Sequence, residues 1–482
     1  MIRVSYISDN EESDIRYLKN YQKEDLLIGL NFIEVEEKKT AIEIAEYLKE
    51  KDHHDLFIMS DRMAILEDIY EIYSELRLVY EVTKERELIN LRELLFSNHL
   101  FTCLIPVEYV DQNLIRELHL AGIKIISRVK NDESIYKAIL SGVDGVLGDN
   151  LKKVEIEADI TNLPFLVSHR GYHKEEVENS IKAGLEAYER EADFLEMDLH
   201  VTKDGYVVVN HDENLKRTYD KDLVIKDHDY QTLLKAKMRK DEKLFSSQLP
   251  LLSEFDEAIP DDFNFLIEVK TETKEEAFII GKEVNRLKRD FQVMSFYPWT
   301  VVPLEAVVRD NINGFLVDYT DKGEIFHQIL KMVNKHRLTV NPYYQTDNLN
   351  YRKEFMRRMV EYAPWGIKEE QLKVALKEGF DKLNSDYIDK LEGLVKKLVI
   401  KDYIEFKRSK ASKKLILSDD KGQTLDYQIN ILFDNPLGLV ISNNEIIAAK
   451  KSGYAYLYLT HQFQFQDETI TMASDLVTIK VI

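Results

Sequence analysis

From about residue 163 to 396 the chain repeats one rhythm. A short run rich in β-branched and aromatic residues is followed by a segment whose apolar residues recur at three- and four-residue spacing. The runs "FLVSH", "FLEMDLHV" with the adjacent "YVVVNHD", "FNFLIEVK", "FQVMSF", "GFLVDY", "LTVNP", "YAPWGI" and "DKLNSDY" read as strands, and "SIKAGLEAYEREA" and "KEEAFIIGKEVNRLK" as amphipathic helices. A strand followed by a helix returns the chain to the same end of the sheet, so successive strands run parallel. Taking "FLEMDLHV" and "YVVVNHD" as one hairpin-elaborated strand leaves eight units. Eight units favour a closed (β/α)8 TIM barrel over an open sheet.

At 482 residues the chain is longer than one such barrel. From about residue 400, "KKLILSD", "LDYQINILF", "GYAYLYLTHQFQF" and "DLVTIKVI" lack helix periodicity and predict a small all-β, sandwich-like domain. The first 155 residues repeat the later part of the barrel in order. "NFIEVEEKKTAIEIAEYL" parallels "NFLIEVKTETKEEAFIIGKEV", and "FIMSDRMAILEDI" parallels "QVMSFYPWTVVPLEAV". Residues 111–150 parallel residues 348–386. Nothing before residue 31 matches the start of the barrel. The expected organisation is α/β, with a degenerate partial barrel at 1–155, a TIM barrel at 160–398 and an all-β domain at 399–482.

A net charge of −21 disfavours wrapping nucleic acid or docking on an anionic membrane. No apolar run approaches the roughly 20 residues of a membrane span. A single cysteine, Cys103 in "FTCLIP", excludes an internal disulfide framework and reads as a buried strand residue rather than a nucleophile. The N-terminus lacks the pattern of a secretory signal. Together these features point to the cytoplasm.

The chemistry-bearing residues fall in order along the middle region, in "SHRG" (168–171), "FLEMDLHVTKDG" (194–205), "VVNHDENLKRT" (208–218), "LIEVK" (266–270) and "MSFYP" (294–298). The first four close or follow an expected strand, and in a barrel the C-terminal strand ends share one mouth. Glu196 and Asp198, two apart on a strand, project to one face, and Glu268 closes the next strand. Such a trio is either a set of solvated acids or the oxygen cage of a hard cation, Ca²⁺ or Mg²⁺. His169 and His211, both at strand ends, suit proton transfer near neutrality. Arg170 offers a fork for phosphate oxygens, and Lys270 a point charge against charge developing on phosphorus. Phe296 and Trp365 are either apolar pocket walls or core packing.

The order "HRG…ENS…E-x-D…TKDG…V-x-HD…L-x-RT…IE-x-K…SF-x-P" resembles the glycerophosphodiester phosphodiesterase family across about residues 163–396. The resemblance implies a (β/α)8 barrel that hydrolyses glycerophosphodiesters to glycerol 3-phosphate and an alcohol. It implies His169 and His211 as acid and base, and one divalent cation on Glu196, Asp198 and Glu268. It implies phosphate contacts from Arg170 and Lys270, and a glycerol pocket near Trp365. Glu178 and Asn179, the family's Glu-Asn pair, either start the first helix or act in the site. "WGIKE" and "GFDKLNSD" depart from the family's pattern and leave the leaving alcohol open.

Two rival readings remain at this level. One is a phospholipase D-like lyase acting on lysolipids, and the other a non-catalytic binder of a glycerophosphate polymer such as teichoic acid. In the N-terminal copy Glu34 stands opposite Glu268, but Glu36 replaces Lys270, Arg128 replaces Trp365, and neither histidine has a counterpart. The copy is expected to be inert, completing itself through residues 1–30, docking on the active barrel or pairing in a homodimer. The segment "ISNNEIIAAKKSGYAYLYL…VTIKV" is similar to bacterial immunoglobulin-like repeats, which sets a bacterial cell surface against the cytoplasmic expectation.

Overall fold

The structure is a computed structural model, and it describes residues 5–6, 15–17, 32–52, 56–148, 151, 154–308, 311–320, 324–401, 403–407, 413–433 and 435–482. Most of the stretch 1–30 and the pair Asp149 and Asn150, both used above in comparing the two copies, lie outside it.

The central barrel has parallel strands Phe165–Ser168, Phe194–Val201, Asn264–Val269, Phe291–Ser295, Gly314–Val317, Thr339–Pro342 and Lys382–Ser385. Val207–Val209 folds back antiparallel on Phe194–Val201, as the hairpin reading requires. The run "YAPWGI" forms isolated parallel bridges rather than a ladder, pairing Tyr362 with Val340 and Trp365 with both Tyr343 and Asn384. Pro364 has no amide hydrogen, which interrupts the ladder between the two bridges. The bridges still close the circle, because Trp365 donates its amide to the Pro342 carbonyl at 2.9 Å and Asn384 donates to the Pro364 carbonyl at 3.1 Å. Inside, Phe165, Val167, Phe194, Leu266, Met294 and Leu316 fill the barrel.

The N-terminal sheet is also parallel. Two short strands, Ser5–Tyr6 and Ile15–Tyr17, bring it to eight, and among the described residues these two end the sheet without pairing with each other. The duplication reaches individual hydrogen bonds. Ser60 Oγ donates to the Val35 carbonyl at 2.8 Å, and Ser295 Oγ to the Val269 carbonyl at 2.8 Å. Asp144 accepts the amide of Ile125 at 2.8 Å, and Asp381 that of Tyr362 at 2.9 Å. Cys103 is fully buried within the strand Thr102–Pro106, and burial pushes its thiol pKa far up.

The barrels meet floor to floor, where the N-terminal ends of their strands lie. Lys124, which opens one strand of the first barrel, donates to Asp144 of its own barrel at 2.7 Å and to Asp381 of the other at 2.5 Å. Arg116 reaches the Leu163 carbonyl at 3.1 Å and Asp193 at 3.3 Å. Leu120 packs into the central barrel's interior cluster. Met359 enters the interior of the N-terminal barrel among Phe57, Met59, Val79, Leu104, Ile126 and Leu147. Each barrel therefore inserts the loop before its seventh strand position into the other's floor. Gly122, at φ +79°, packs so closely that an added Cβ would lie 2.6 Å from Glu361 Oε2.

The C-terminal region is all β. Tyr403–Phe406, Val477–Val481, Gly453–Phe465 and Gln428–Ile431 form one sheet, with Glu468–Ala473 paired to Gly453–Phe465. Lys413–Lys414, Glu445–Ala448 and Val440–Ser442 form a smaller one. The tip of the long hairpin touches the central barrel. Lys373 meets Asp467 at 2.7 Å, Lys377 meets Glu468 at 2.8 Å, and Gln466 Nε2 donates to the Glu369 carbonyl at 3.0 Å. No helix among the described residues is long and apolar enough to cross a membrane.

Candidate active site

The mouth of the central barrel collects its acids from two adjacent strands. Glu196 and Asp198 sit on Phe194–Val201 and Glu268 on the neighbouring Asn264–Val269, where Asp198 lies opposite Glu268 in register. All three are buried, and one carboxylate oxygen of each lies within 4.8 Å of the other two. Lys270 answers part of this charge, with its ammonium 2.7 Å from Glu268 and 3.2 Å from Asp198. Arg170 answers more, its Nε lying 3.4 Å from Asp198 and its amide donating to Glu196 at 2.8 Å.

The electrostatics divide the trio. Burial raises the pKa of Glu196 well above its ordinary value, and the charge of Asp198 adds to this. Burial also pushes Glu268 up to about 7, against the pull of Lys270. Asp198 is buried as deeply, yet Lys270, Arg170, His211 and the Asn179 amide hold it well below the carboxylate range. One firm anion between two reluctant ones is a cluster short of positive charge. Asp198 Oδ1 is buried and accepts no hydrogen bond, facing only the Lys270 ammonium at 3.2 Å among the described residues. An all-oxygen set of three buried carboxylates fits a hard divalent cation.

Each histidine is anchored through Nδ1. That of His169 lies 2.6 Å from Asp386, just past the last strand, and that of His211 lies 2.6 Å from Asp212. Donation from Nδ1 to a carboxylate leaves Nε2 of each ring for a reactant. Burial lowers the pKa of His211, so the ring is neutral and able to accept a proton at pH 7. Asp212 is held by Arg217 Nε at 2.7 Å. Arg217 also spans both oxygens of Glu178 at 2.7 Å, and Glu178 accepts from Arg170 at 2.9 Å. A continuous hydrogen-bonded chain therefore runs from His211 through Asp212, Arg217 and Glu178 to Arg170.

The loop after the first strand is shaped for this work. Arg170 and Asn179 both adopt left-handed backbone, at φ +56° each, and Gly171 follows at +77°. A Cβ on Gly171 would lie 2.7 Å from the Ala183 backbone. The helix-start role belongs to Ser180, whose hydroxyl accepts the Ala183 amide at 3.1 Å. Asn179 instead clamps Asp198, donating to its carboxylate at 2.8 Å and accepting its amide at 3.2 Å.

A model of the glycerophosphoryl diester phosphodiesterase family matches residues 169–405, the stretch that carries all of these groups. That segment belongs to the family. The chain is 28% identical over 242 residues to a glycerophosphodiester phosphodiesterase of Caldanaerobacter subterraneus subsp. tengcongensis, covering 48% of this chain and 98% of that one. A human lysophospholipase D is 47% identical over 64 residues, covering 13% of this chain and 20% of the human protein. The crystal structure of a glycerophosphodiester phosphodiesterase from Thermotoga maritima overlays with a TM-score of 0.41 at 26% identity, covering 47% of this chain and 96% of that one.

Within this phosphodiesterase domain, His169, Arg170, Glu196, Asp198, His211, Glu268 and Lys270 converge on one mouth. Arg170 and Lys270 spend their charge on the acids. Phe296 and Trp365 meet edge to face at 5.7 Å and pack against the barrel's interior cluster, while Trp365 stacks on Tyr343 at 4.5 Å. Both rings remain partly exposed. In the N-terminal copy, Arg128 lies 3.4 Å from Glu34 and 2.9 Å from Glu81, filling its mouth with an internal ion pair.

Asp386, Asp212 and Arg217 were not singled out from sequence. Asp212 and Arg217 lie inside the "HD" and "L-x-RT" motifs, and Asp386 stands one residue beyond a strand that opens into the mouth. The motifs were the available signal for Asp212 and Arg217, and strand-end position for Asp386.

Proposed function

We propose that the phosphodiesterase domain hydrolyses glycerophosphodiesters to glycerol 3-phosphate and an alcohol, with His169 and His211 exchanging protons and one divalent cation, Ca²⁺ or Mg²⁺, held by Glu196, Asp198 and Glu268. The observation that carries this reading is the convergence of three buried carboxylates within 4.8 Å at the mouth that also holds both anchored imidazoles. When bound, the cation supplies a Lewis acid for a phosphoryl oxygen and lowers the pKa of the attacking hydroxyl or water.

The chain's own residues do the remainder. Arg170 presents its guanidinium beside the acids and orients a phosphate oxygen. Lys270 lies against Asp198 and Glu268 and offsets negative charge as it grows on phosphorus. His211, neutral at pH 7, takes the proton of the nucleophile at Nε2, and His169 returns one to the leaving oxygen. Phe296 and Trp365 form the apolar wall for the glycerol carbons. Domain boundaries at 1–155, 160–398 and 399–482 accompany this reading, the first region being non-catalytic.

The test is release of glycerol 3-phosphate from a panel of glycerophosphodiesters, with a lysophospholipid included, in Ca²⁺ or Mg²⁺ and in chelator. Cation-dependent release is the expected result and ranks the leaving alcohols. A cyclic phosphate product without glycerol 3-phosphate points to the lyase instead. A folded, cation-loaded protein that turns over none of the panel overturns the reading.

A further inference from the structure

The floor-to-floor packing leaves a cavity of about 460 Å³ on the side of the phosphodiesterase domain remote from the catalytic mouth. One wall comes from residues 96–101 of the N-terminal barrel, including Phe96, His99 and Phe101. The other comes from the segments that precede the strands Gly314–Val317 and Thr339–Pro342, including Asn311, Asn313, His336 and Arg337.

Arg337 is the unusual member. Its Nη2 donates to the Ser74 carbonyl at 3.2 Å and its guanidinium lies 5.4 Å from the centre of the Tyr70 ring. Its Nε is buried with no acceptor, and no carboxylate of the described residues forms an ion pair with it. Burial lowers its pKa to about 10, against the opposing pull of Tyr70 and Glu305. Glu305, the carboxylate that lines the cavity, is engaged by His336 Nδ1 at 3.0 Å. That bond leaves His336 Nε2 for the cavity. His99 is fixed by stacking on Tyr70 at 5.2 Å, and the Asn311 amide lies 3.4 Å from Asn313 Oδ1.

Arg337 is partly buried and, among the described residues, the Ser74 carbonyl is its one hydrogen-bond acceptor, so its buried Nε–H and most of its fork remain to be met by an acceptor from outside the chain. The planar fork matches two oxygens of a phosphate, and the imidazoles and amides around it can meet the others. Phe96 and Phe101 provide an apolar surface for a short carbon skeleton. The volume suits a small molecule. We propose that this cavity is a second anion site, binding inorganic phosphate or a small phosphate monoester between the two barrels. Its occupant touches both barrels, so binding tightens their packing. That the physiological occupant is the domain's own product, glycerol 3-phosphate, rests on the function proposed above. Binding of phosphate itself does not.

The test titrates the full chain, in chelator, with inorganic phosphate and with glycerol 3-phosphate by calorimetry. Arg170→Met silences the catalytic mouth and is expected to retain one binding event. Adding Arg337→Met is expected to weaken that event roughly ten- to a hundredfold, while Arg337→Met alone leaves turnover at low product unchanged. Where Arg337→Met fails to fold, Asn313→Asp places a negative charge in the cavity and is expected to abolish binding. Absence of binding to the Arg170→Met protein overturns the proposal, as does binding that survives Arg337→Met or Asn313→Asp. Phosphate binding by a protein that turns over no diester retains the site while removing the product assignment.

Discussion

Asp386 Oδ1 lies 2.6 Å from Nδ1 of His169, so the residue that follows the last strand of the barrel orients the imidazole that follows the first. The pair works only because the barrel closes, bringing Ser385 beside Ser168 in register. Asp386→Asn removes the negative charge and the preference for the Nδ1–H tautomer. The expected result is a kcat lower by about 10–100-fold with little change in KM, read from steady-state kinetics. An unchanged kcat would show that the carboxylate does not orient His169.

Replacing either imidazole should cost more. His169→Ala or His211→Ala is expected to lower kcat by roughly 10²–10⁴-fold. The double variant should show no turnover above background, because Arg128 pairs with Glu34 and Glu81 in the N-terminal mouth and neither catalytic histidine has a counterpart there in the sequence. Residual cation-dependent turnover in the double variant would assign chemistry to the N-terminal copy.

Cation binding can be followed without activity. Thermal unfolding of the metal-free protein in rising Ca²⁺ or Mg²⁺ should show an upward shift in Tm, since a ligand of the folded state alone stabilises it. Asp198→Asn, which removes the one firm anion of the trio, should abolish the shift. Preservation of the full shift in that variant would place the cation elsewhere.

Asp144 gives a pH signature at the barrel seam. Burial would raise its pKa, but His119 and Lys124 hold it well below the ordinary carboxylate value of about 3.9. A depressed folded pKa means that the charged form stabilises the fold above the ordinary value, and that this contribution is lost as pH falls toward the folded one. Asp144→Asn should therefore be less stable by about 2 kcal/mol at neutral pH. The gap from wild type should begin to narrow below about pH 4 and narrow further as pH falls toward the folded value, which paired unfolding curves from pH 7 downward through pH 3 would read.

Met359 tests the floor. It is 5% exposed inside the other barrel's cluster, so Met359→Ala should cost about 2–4 kcal/mol through the cavity it leaves. Activity at low temperature should survive, and the N-terminal barrel should lose protection from hydrogen exchange around Phe57 and Leu104. Loss confined to the phosphodiesterase domain would contradict the packing.

The barrel and the heart of the mouth were legible because two periodicities placed His169, His211 and Glu268 at strand ends and Glu196 with Asp198 on one face of a strand, where parallel topology makes distant residues neighbours. "YAPWGI" was legible as a strand although Pro364 breaks its ladder, since the bridges at Tyr362 and Trp365 flank the proline. Asn179 was read as either a helix start or a site residue, because a polar residue before an apolar helix satisfies both patterns; only the left-handed backbone at Arg170 and Asn179 turns it toward Asp198. Leu120 and Met359 were silent. Their spacing is that of any residue at the end of an amphipathic helix, and nothing local states that the face they fill belongs to another barrel.

The crossed floor loops set different rules for the two ends of the N-terminal half. On the function proposed here its mouth takes no substrate, and Glu36 and Arg128 stand there where the central barrel has Lys270 and Trp365. Its floor is constrained, because a substitution near Leu120 or Gly122 is felt by Phe165 and Glu361 in the half that does chemistry. The underside of the N-terminal half is thereby part of the base of the phosphodiesterase barrel, and a chain cut free of it would have to refill the space that Leu120 occupies and re-cover Met359.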